Sequence, residues 1–188
     1  MKKTIGLLLS ILIICSFISC GGNNADTSKL ATKADNLSIE PGKTKLQDLI
    51  DNGYTYKWSD IIKPVKEIDG ERFIPPSIYI MKDDEQYAIV GLINTTSKKL
   101  GLEECTIGDT TIYSNYKGYH KFSGITVKGE NFVGLKLEDI KAKIKDKLIE
   151  EDEKSLIFND GKVGYDFGFD DQKILYKITF HINENNIK

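Results

Sequence analysis

Two residue types that carry much of protein chemistry are nearly missing from this chain. Among 188 residues histidine occurs twice, as His120 and His181, and of 26 basic residues only Arg72 is an arginine. Scarce histidine removes the commonest metal ligand and proton-transfer group. A lone arginine leaves no set of bidentate clamps for phosphates or carboxylates. The three cysteines, Cys15, Cys20 and Cys105, are too few for a disulfide framework. Neither sign of charge dominates: the formal net charge is −2, which takes away the usual electrostatic case for nucleic-acid binding. With 40% hydrophobic and 29% charged residues, the composition fits one ordinary folded domain or two small ones, and no collagen-like or disordered chain.

Long apolar runs are also absent but for one. Ile5 to Ile18 is apolar except at Gly6, Ser10, Cys15 and Ser16. It is shorter than the roughly 20 residues that a helix needs to cross a bilayer. Behind Lys2 and Lys3 it reads as the apolar core of a secretory signal. Phe17-Ile18-Ser19-Cys20 follows, then Gly21-Gly22-Asn23-Asn24. This resembles the lipobox of bacterial lipoproteins, with Phe17 where leucine is usual. The resemblance implies that residues 1–19 are removed as a signal peptide and that Cys20 is acylated as the mature N-terminus. The chain would then be anchored by lipid to the extracytoplasmic face of the cell membrane. A plain secretory signal cut before Gly21 is the alternative. Residues 20–36 are small and polar and read as the lipidated cysteine with a flexible tether, whose r.m.s. reach is roughly 20–24 Å. Cys105 is expected to be a buried, inert thiol, because a nucleophilic cysteine needs a partner that its neighbours do not supply.

The remainder reads as a duplicated unit. Gly42-Lys43-Thr44-Lys45-Leu46-Gln47-Asp48-Leu49-Ile50 compares with Gly134-Leu135-Lys136-Leu137-Glu138-Asp139-Ile140. Each follows a short β-like piece, Leu37-Ser38-Ile39 and Ile125-Thr126-Val127. A first short helix is expected with Thr44 as N-cap and Asn52-Gly53 as its stop, and a second from about Leu137 to Leu148. Asn159-Asp160-Gly161-Lys162 is a hairpin signal. Period-two runs follow, Val163-Tyr165-Phe167-Phe169 and then Ile174-Tyr176-Ile178-Phe180-Ile182, separated by a turn at Asp170-Asp171-Gln172. Asp83-Asp84-Glu85 marks the corresponding turn between Ile78–Met81 and Tyr87–Ile93. Helix then antiparallel strands, twice over, predicts an α+β fold of two tandem helix-plus-antiparallel-sheet units, residues 37–112 and 113–188. A lipobox, a polar tether and two such units resemble secreted lipoproteins of the β-lactamase-inhibitor-protein-like fold, to which the outer-membrane assembly lipoproteins of the SmpA/OmlA type are related. That resemblance implies a curved sheet and a binding role rather than a catalytic one, and it transfers no partner.

Gly42-Lys43-Thr44 is better read as a helix start than a phosphate loop, since Leu37 stands where the motif needs glycine. The carboxylate clusters Asp83-Asp84-Glu85, Glu150–Glu153 and Asp170-Asp171 lack calcium-loop spacing: two read as hairpin turns and the middle one as solvated charge after a lysine-rich helix. No catalytic set, metal site or cofactor is expected, and the chain is not read as an enzyme. Two features are candidate binding faces. Tyr113, Tyr116, Tyr119 and Phe122 recur every third residue among Ser, Asn and Gly, which suits protein or sugar recognition, or else buries its rings between the units. The other is the sheet face with Gly164, Asp166, Gly168, Lys177, Thr179 and His181, whose small residues leave a shallow surface, or which is an ordinary solvated face. The expected function is a non-catalytic module of the cell envelope that binds another envelope protein, with binding of a glycan or peptide as the alternative.

Overall fold

Strict alternation of apolar and polar residues makes one face of a strand insoluble, and this chain has enough such strands to build a sheet against itself. The computed structural model describes residues 32–144 and 147–182. Its elements run β1 (Thr32–Ala34), β2 (Leu37–Ile39), α1 (Leu46–Asp51), β3 (Thr55–Trp58), β4 (Glu67–Ile68), β5 (Arg72–Lys82), β6 (Glu85–Asn94), β7 (Leu100–Gly101) and β8 (Thr106–Tyr113). They continue with β9 (Ile125–Val127), β10 (Glu130–Asn131), α2 (Leu137–Ile144), β11 (Leu148–Glu151), β12 (Ser155–Asp160), β13 (Val163–Phe169) and β14 (Leu175–Ile182).

The expected α+β architecture of two tandem units is overturned. Strand makes up 51% of the described residues and helix 12%. Eight strands form one antiparallel sheet in the order β11-β12-β13-β14-β8-β6-β5-β3. Strand β8, placed in the first unit by the sequence, pairs with β14 at the far end of the second, Ile112 opposite Ile178 and Thr110 opposite Phe180. A four-stranded sheet, β10-β9-β1-β2, likewise mixes both halves, and β4 pairs with β7. The helices are too short to form a layer of their own. A two-unit reading assumes that neighbouring elements in sequence satisfy each other, whereas the open edges of β8 and β14 satisfy each other instead.

The tether expectation is corrected at its end. Thr32–Ala34 is strand β1, with Thr32 opposite both Ile39 and Val127, and Ala34 is fully buried. The expected signal segment and Cys20 lie outside the described residues. Among the described residues no helix is long and apolar enough to cross a membrane.

One face of the large sheet carries Ile78, Ile80, Val90, Leu92, Ile107, Ile112, Phe167, Ile178 and Phe180, all inside a single core with Leu46 and Leu49 of α1 and Ile140 of α2. Thr44 is not the N-cap of α1. Its hydroxyl accepts from the Glu40 N–H at 2.8 Å, and the cap is Lys45, whose N–H donates to the Asp48 carboxylate at 2.7 Å. Gly53, at φ +82°, supplies the left-handed stop the sequence placed there. The second helix is described over Leu137–Ile144, and Leu148 opens β11 opposite Phe158 instead of continuing the helical stripe. Asp83 and Asp84, at φ +50° and +62°, make a two-residue hairpin turn whose handedness matches the sheet twist.

The expected phase of the last strand fails at its start. Gly168 pairs with Lys177 but Phe169 pairs with Leu175, so Tyr176 is an extra, bulged residue. Leu175 therefore joins the core, and Ile174 lies outside the strand.

Tyr165 stacks on Phe158 at 4.8 Å and is fully buried. Its phenol finds no hydrogen bond among the described residues, and burial pushes it up to about 12. Tyr165→Phe removes only that unpaired hydroxyl, so we expect it to fold normally and gain about 1 kcal/mol in urea denaturation. A loss of stability would mean that the hydroxyl is bonded after all.

Candidate functional site

The strand pairing brings the two sequence candidates together. Lys177 lies opposite Tyr113, and Thr179 opposite Thr111, with their hydroxyls 3.1 Å apart. His181 lies opposite Asp109 and, on its other side, Gly164. Asp166 lies opposite Thr179, and its carboxylate meets the Lys177 ammonium at 3.2 Å. Tyr113, Asp166, Lys177 and His181 thus share the sheet face turned away from the core, and all four are half-buried.

The tyrosine segment leaves β8 on this same face. Tyr113, Tyr116 and Tyr119 form a cluster with centroids 5.2, 4.5 and 5.8 Å apart, joined by Tyr176 at 6.2 Å from Tyr113. A bridge from Tyr119 to Gln86 and the His120 N–H donating to the Gln86 carbonyl at 2.8 Å hold the segment to the start of β6. Burial raises the Tyr113 phenol, while the Lys177 ammonium pulls it back. Burial, with Tyr113 close by, pushes Tyr119 up to about 12. Both are neutral phenols at physiological pH, able to donate and accept hydrogen bonds. Tyr116 is the open ring of the set, 55% exposed. Phe122 departs from its three-residue series and enters the core.

The expected shallow surface over the glycines is not there. A side chain on Gly164 would collide with the His181 ring and the Asn159 amide, and one on Gly168 would meet Lys177 and Tyr176. The glycines of β13 make room for their cross-strand neighbours rather than for a partner, and what reaches the surface is His181 and Lys177 themselves.

A cluster that the sequence did not reveal joins segments far apart in the chain. His120 stacks on Tyr87 at 4.1 Å, with Nδ1 2.5 Å from the Glu85 carboxylate and Nε2 3.4 Å from that of Asp35. Asp35 also accepts from the Ser123 hydroxyl at 2.6 Å and from the Ser123 and Gly124 N–H groups. Because Ser123 bonds the carboxylate and not the imidazole, the group is no nucleophile-and-base pair. It is a staple, fixing the β1–β2 turn to the segment between β8 and β9. No local motif signals it, since His120 and Asp35 are 85 residues apart.

Burial works against the Asp35 carboxylate, but its hydrogen bonds from Ser123, Gly124 and His120 together lower its pKa. A carboxyl lowered on folding contributes stability above its unfolded value, about 3.9, and that contribution is lost as pH falls through the folded value. Asp35→Asn should therefore cost about 1 kcal/mol at neutral pH and flatten the acid limb of the stability curve below about pH 4, read by denaturant titration at a series of pH values. Parallel wild-type and variant curves would remove Asp35 from the account.

Cys105 is buried just before β8, its thiol donating to the Gly101 carbonyl at 3.3 Å. Burial, then Glu104 and Glu103, push it up to about 11, which denies it thiolate character at neutral pH. At the expected turn Asp170 accepts from the Gln172 and Ile174 N–H groups, and Asp152 closes another loop by accepting from that of Lys154. Among the described residues no group of three acidic, histidine or cysteine side chains converges to hold a metal ion. No protein family, curated protein or solved structure matches the chain.

Proposed function

We propose that this chain is a lipid-anchored extracytoplasmic lipoprotein, attached to the membrane through Cys20, that binds another envelope protein through the outer face of its large sheet. One observation carries the reading. Two features chosen separately from the sequence, the tyrosine series and the polar face of β13 and β14, join into one surface, with Tyr113 and Lys177 as the pair that connects them. Rigid rings with polar tips, flanked by an ion pair, give a partner both apolar area and fixed hydrogen-bonding groups. The lipobox-like Phe17-Ile18-Ser19-Cys20 and the apolar run before it support the location.

The test is crosslinking in living cells with the full chain as bait and mass spectrometry as the readout. Tyr116→Ala and Lys177→Glu serve as face variants and Cys20→Ala as the unanchored control. One protein crosslinked by the native chain and lost with both face variants supports the reading. Crosslinks unaffected by either variant exclude this face. A thermal shift with an envelope glycan, abolished by Tyr116→Ala, would replace the protein partner with a sugar.

A further inference from the structure

The segment between β3 and β4 has a composition that folding does not explain. Its ends are held: Ser59 is buried, with its N–H donating to the Ser77 carbonyl at 2.8 Å, and Ile68 is buried opposite Leu100 of β7. Between these stalks Ile61 is 86% and Val65 41% exposed. A single exposed apolar side chain is ordinary, but here two stand four residues apart on one loop. Lys63 and Lys66 are exposed beside them, and neither is in an ion pair among the described residues. The carboxylates stand at the two ends, Asp60 and Glu67, and Glu67 faces Lys99 at 3.8 Å. Residues 61–66 therefore present two open aliphatic side chains and two lysines outside any ion pair among the described residues, with the anions confined to the flanking Asp60 and Glu67.

We propose that this loop docks on an anionic phospholipid surface, with Ile61 and Val65 entering the interfacial layer and Lys63 and Lys66 meeting lipid phosphates. Charge selects this occupant over an uncharged apolar partner: bare ammonium groups interleaved with aliphatic side chains match a layer that is anionic outside and apolar just beneath. Two such side chains are too few to hold a free protein. On a chain already anchored, the contact is intramolecular, and its effect is to fix orientation. The inference rests on the anchored reading of Cys20. The loop springs from β3, the outermost strand at one edge of the large sheet, so docking turns that edge to the bilayer and leaves β8, β14 and β13, three and more strands away, open to a partner.

The experiment reconstitutes the full chain with vesicles of phosphatidylcholine carrying brominated acyl chains, with or without phosphatidylglycerol. Trp58, the single tryptophan, is replaced by phenylalanine and a reporter placed by Ile61→Trp, with Tyr116→Trp in the same background as the distant control. Circular dichroism verifies that each variant folds. The expected result is bromine quenching of the Ile61→Trp reporter on phosphatidylglycerol vesicles, with the control unquenched. Lys63→Glu and Lys66→Glu should each weaken the quenching about fivefold or more. Vesicles that float with the protein while the Ile61→Trp reporter stays unquenched, or quenches no more than the control, overturn the loop proposal alone. Failure of the chain to float with any vesicle overturns the anchored reading and this inference together.

Discussion

Gly91→Ala is expected to cost about 3 kcal/mol or more in chemical denaturation. A β-carbon at Gly91 would sit 2.6 Å from the Ile74 carbonyl oxygen, 3.0 Å from the Pro76 nitrogen and 3.1 Å from the Pro75 carbonyl carbon. All three are backbone atoms, so no side-chain rotation relieves the clash. Gly91 lies in β6, where β5 departs from its register between Ile74 and Ile78. Pro75 and Pro76 have no N–H to give to the ladder, and the strand accommodates them by arching over the one neighbouring position that lacks a side chain. A stable Gly91→Ala protein would show that β5 does not take this path.

Asn94→Ala should cost about 3 kcal/mol, and Asn94→Leu should rescue none of it. The side chain is fully buried at the end of β6. Its amide nitrogen shares two hydrogens among the carbonyls of Ile68, Asp69 and Lys98, at 3.0, 3.2 and 2.6 Å. Its oxygen accepts from the Thr96 N–H at 3.0 Å and the Thr96 hydroxyl at 2.8 Å. Truncation takes the amide donor away from those carbonyls, a penalty of about 1–3 kcal/mol for each buried group left unpaired. Filling the volume with leucine restores packing but no donor. Asn94→Asp should be worse still, because a carboxylate oxygen would then face three carbonyls. Guanidinium melts of the three variants decide the matter, and equal stability of Leu and wild type would refute the hydrogen-bond account.

Neither position stands out in the sequence. Gly91 sits inside an apolar run and Asn94 looks like the polar end of a strand. Their importance comes from what the chain places against them, a doubled proline on the next strand and three carbonyls from two different loops. The same holds for His120, visible in the sequence as one of only two histidines, yet given its partners Asp35 and Glu85 by tertiary structure alone. Of the binding candidates, Tyr113, Tyr116, Tyr119, Asp166, Lys177 and His181 were all legible as residues. That they form one surface was not, because the register of β8 against β14 links positions with no local relation. The shallow surface expected over Gly164 and Gly168 was misread for the same reason: an empty position along one strand is filled from the strand beside it.

Short-range physics was enough for the turns and the strand cores. Asp83-Asp84 and Gly161 reverse the chain because aspartate tolerates and glycine favours left-handed backbone. Val163 to Phe169 alternates because one face meets the core. Composition alone also made metal or clamp chemistry an unpromising reading, through two histidines and one arginine. The architecture was settled elsewhere. Two helix-plus-sheet units became one eight-stranded sheet because an exposed strand edge is a row of unmet hydrogen bonds, and β8 and β14 close each other's edges more completely than either half could alone. The phase of β14 was set by the bulge at Tyr176, which exists only because Gly168 and Phe169 find partners across the sheet. A sequence fixes which face of a segment must be hidden; which segment hides it is decided by pairing over long separations, where backbone hydrogen bonds and packing must be satisfied at once.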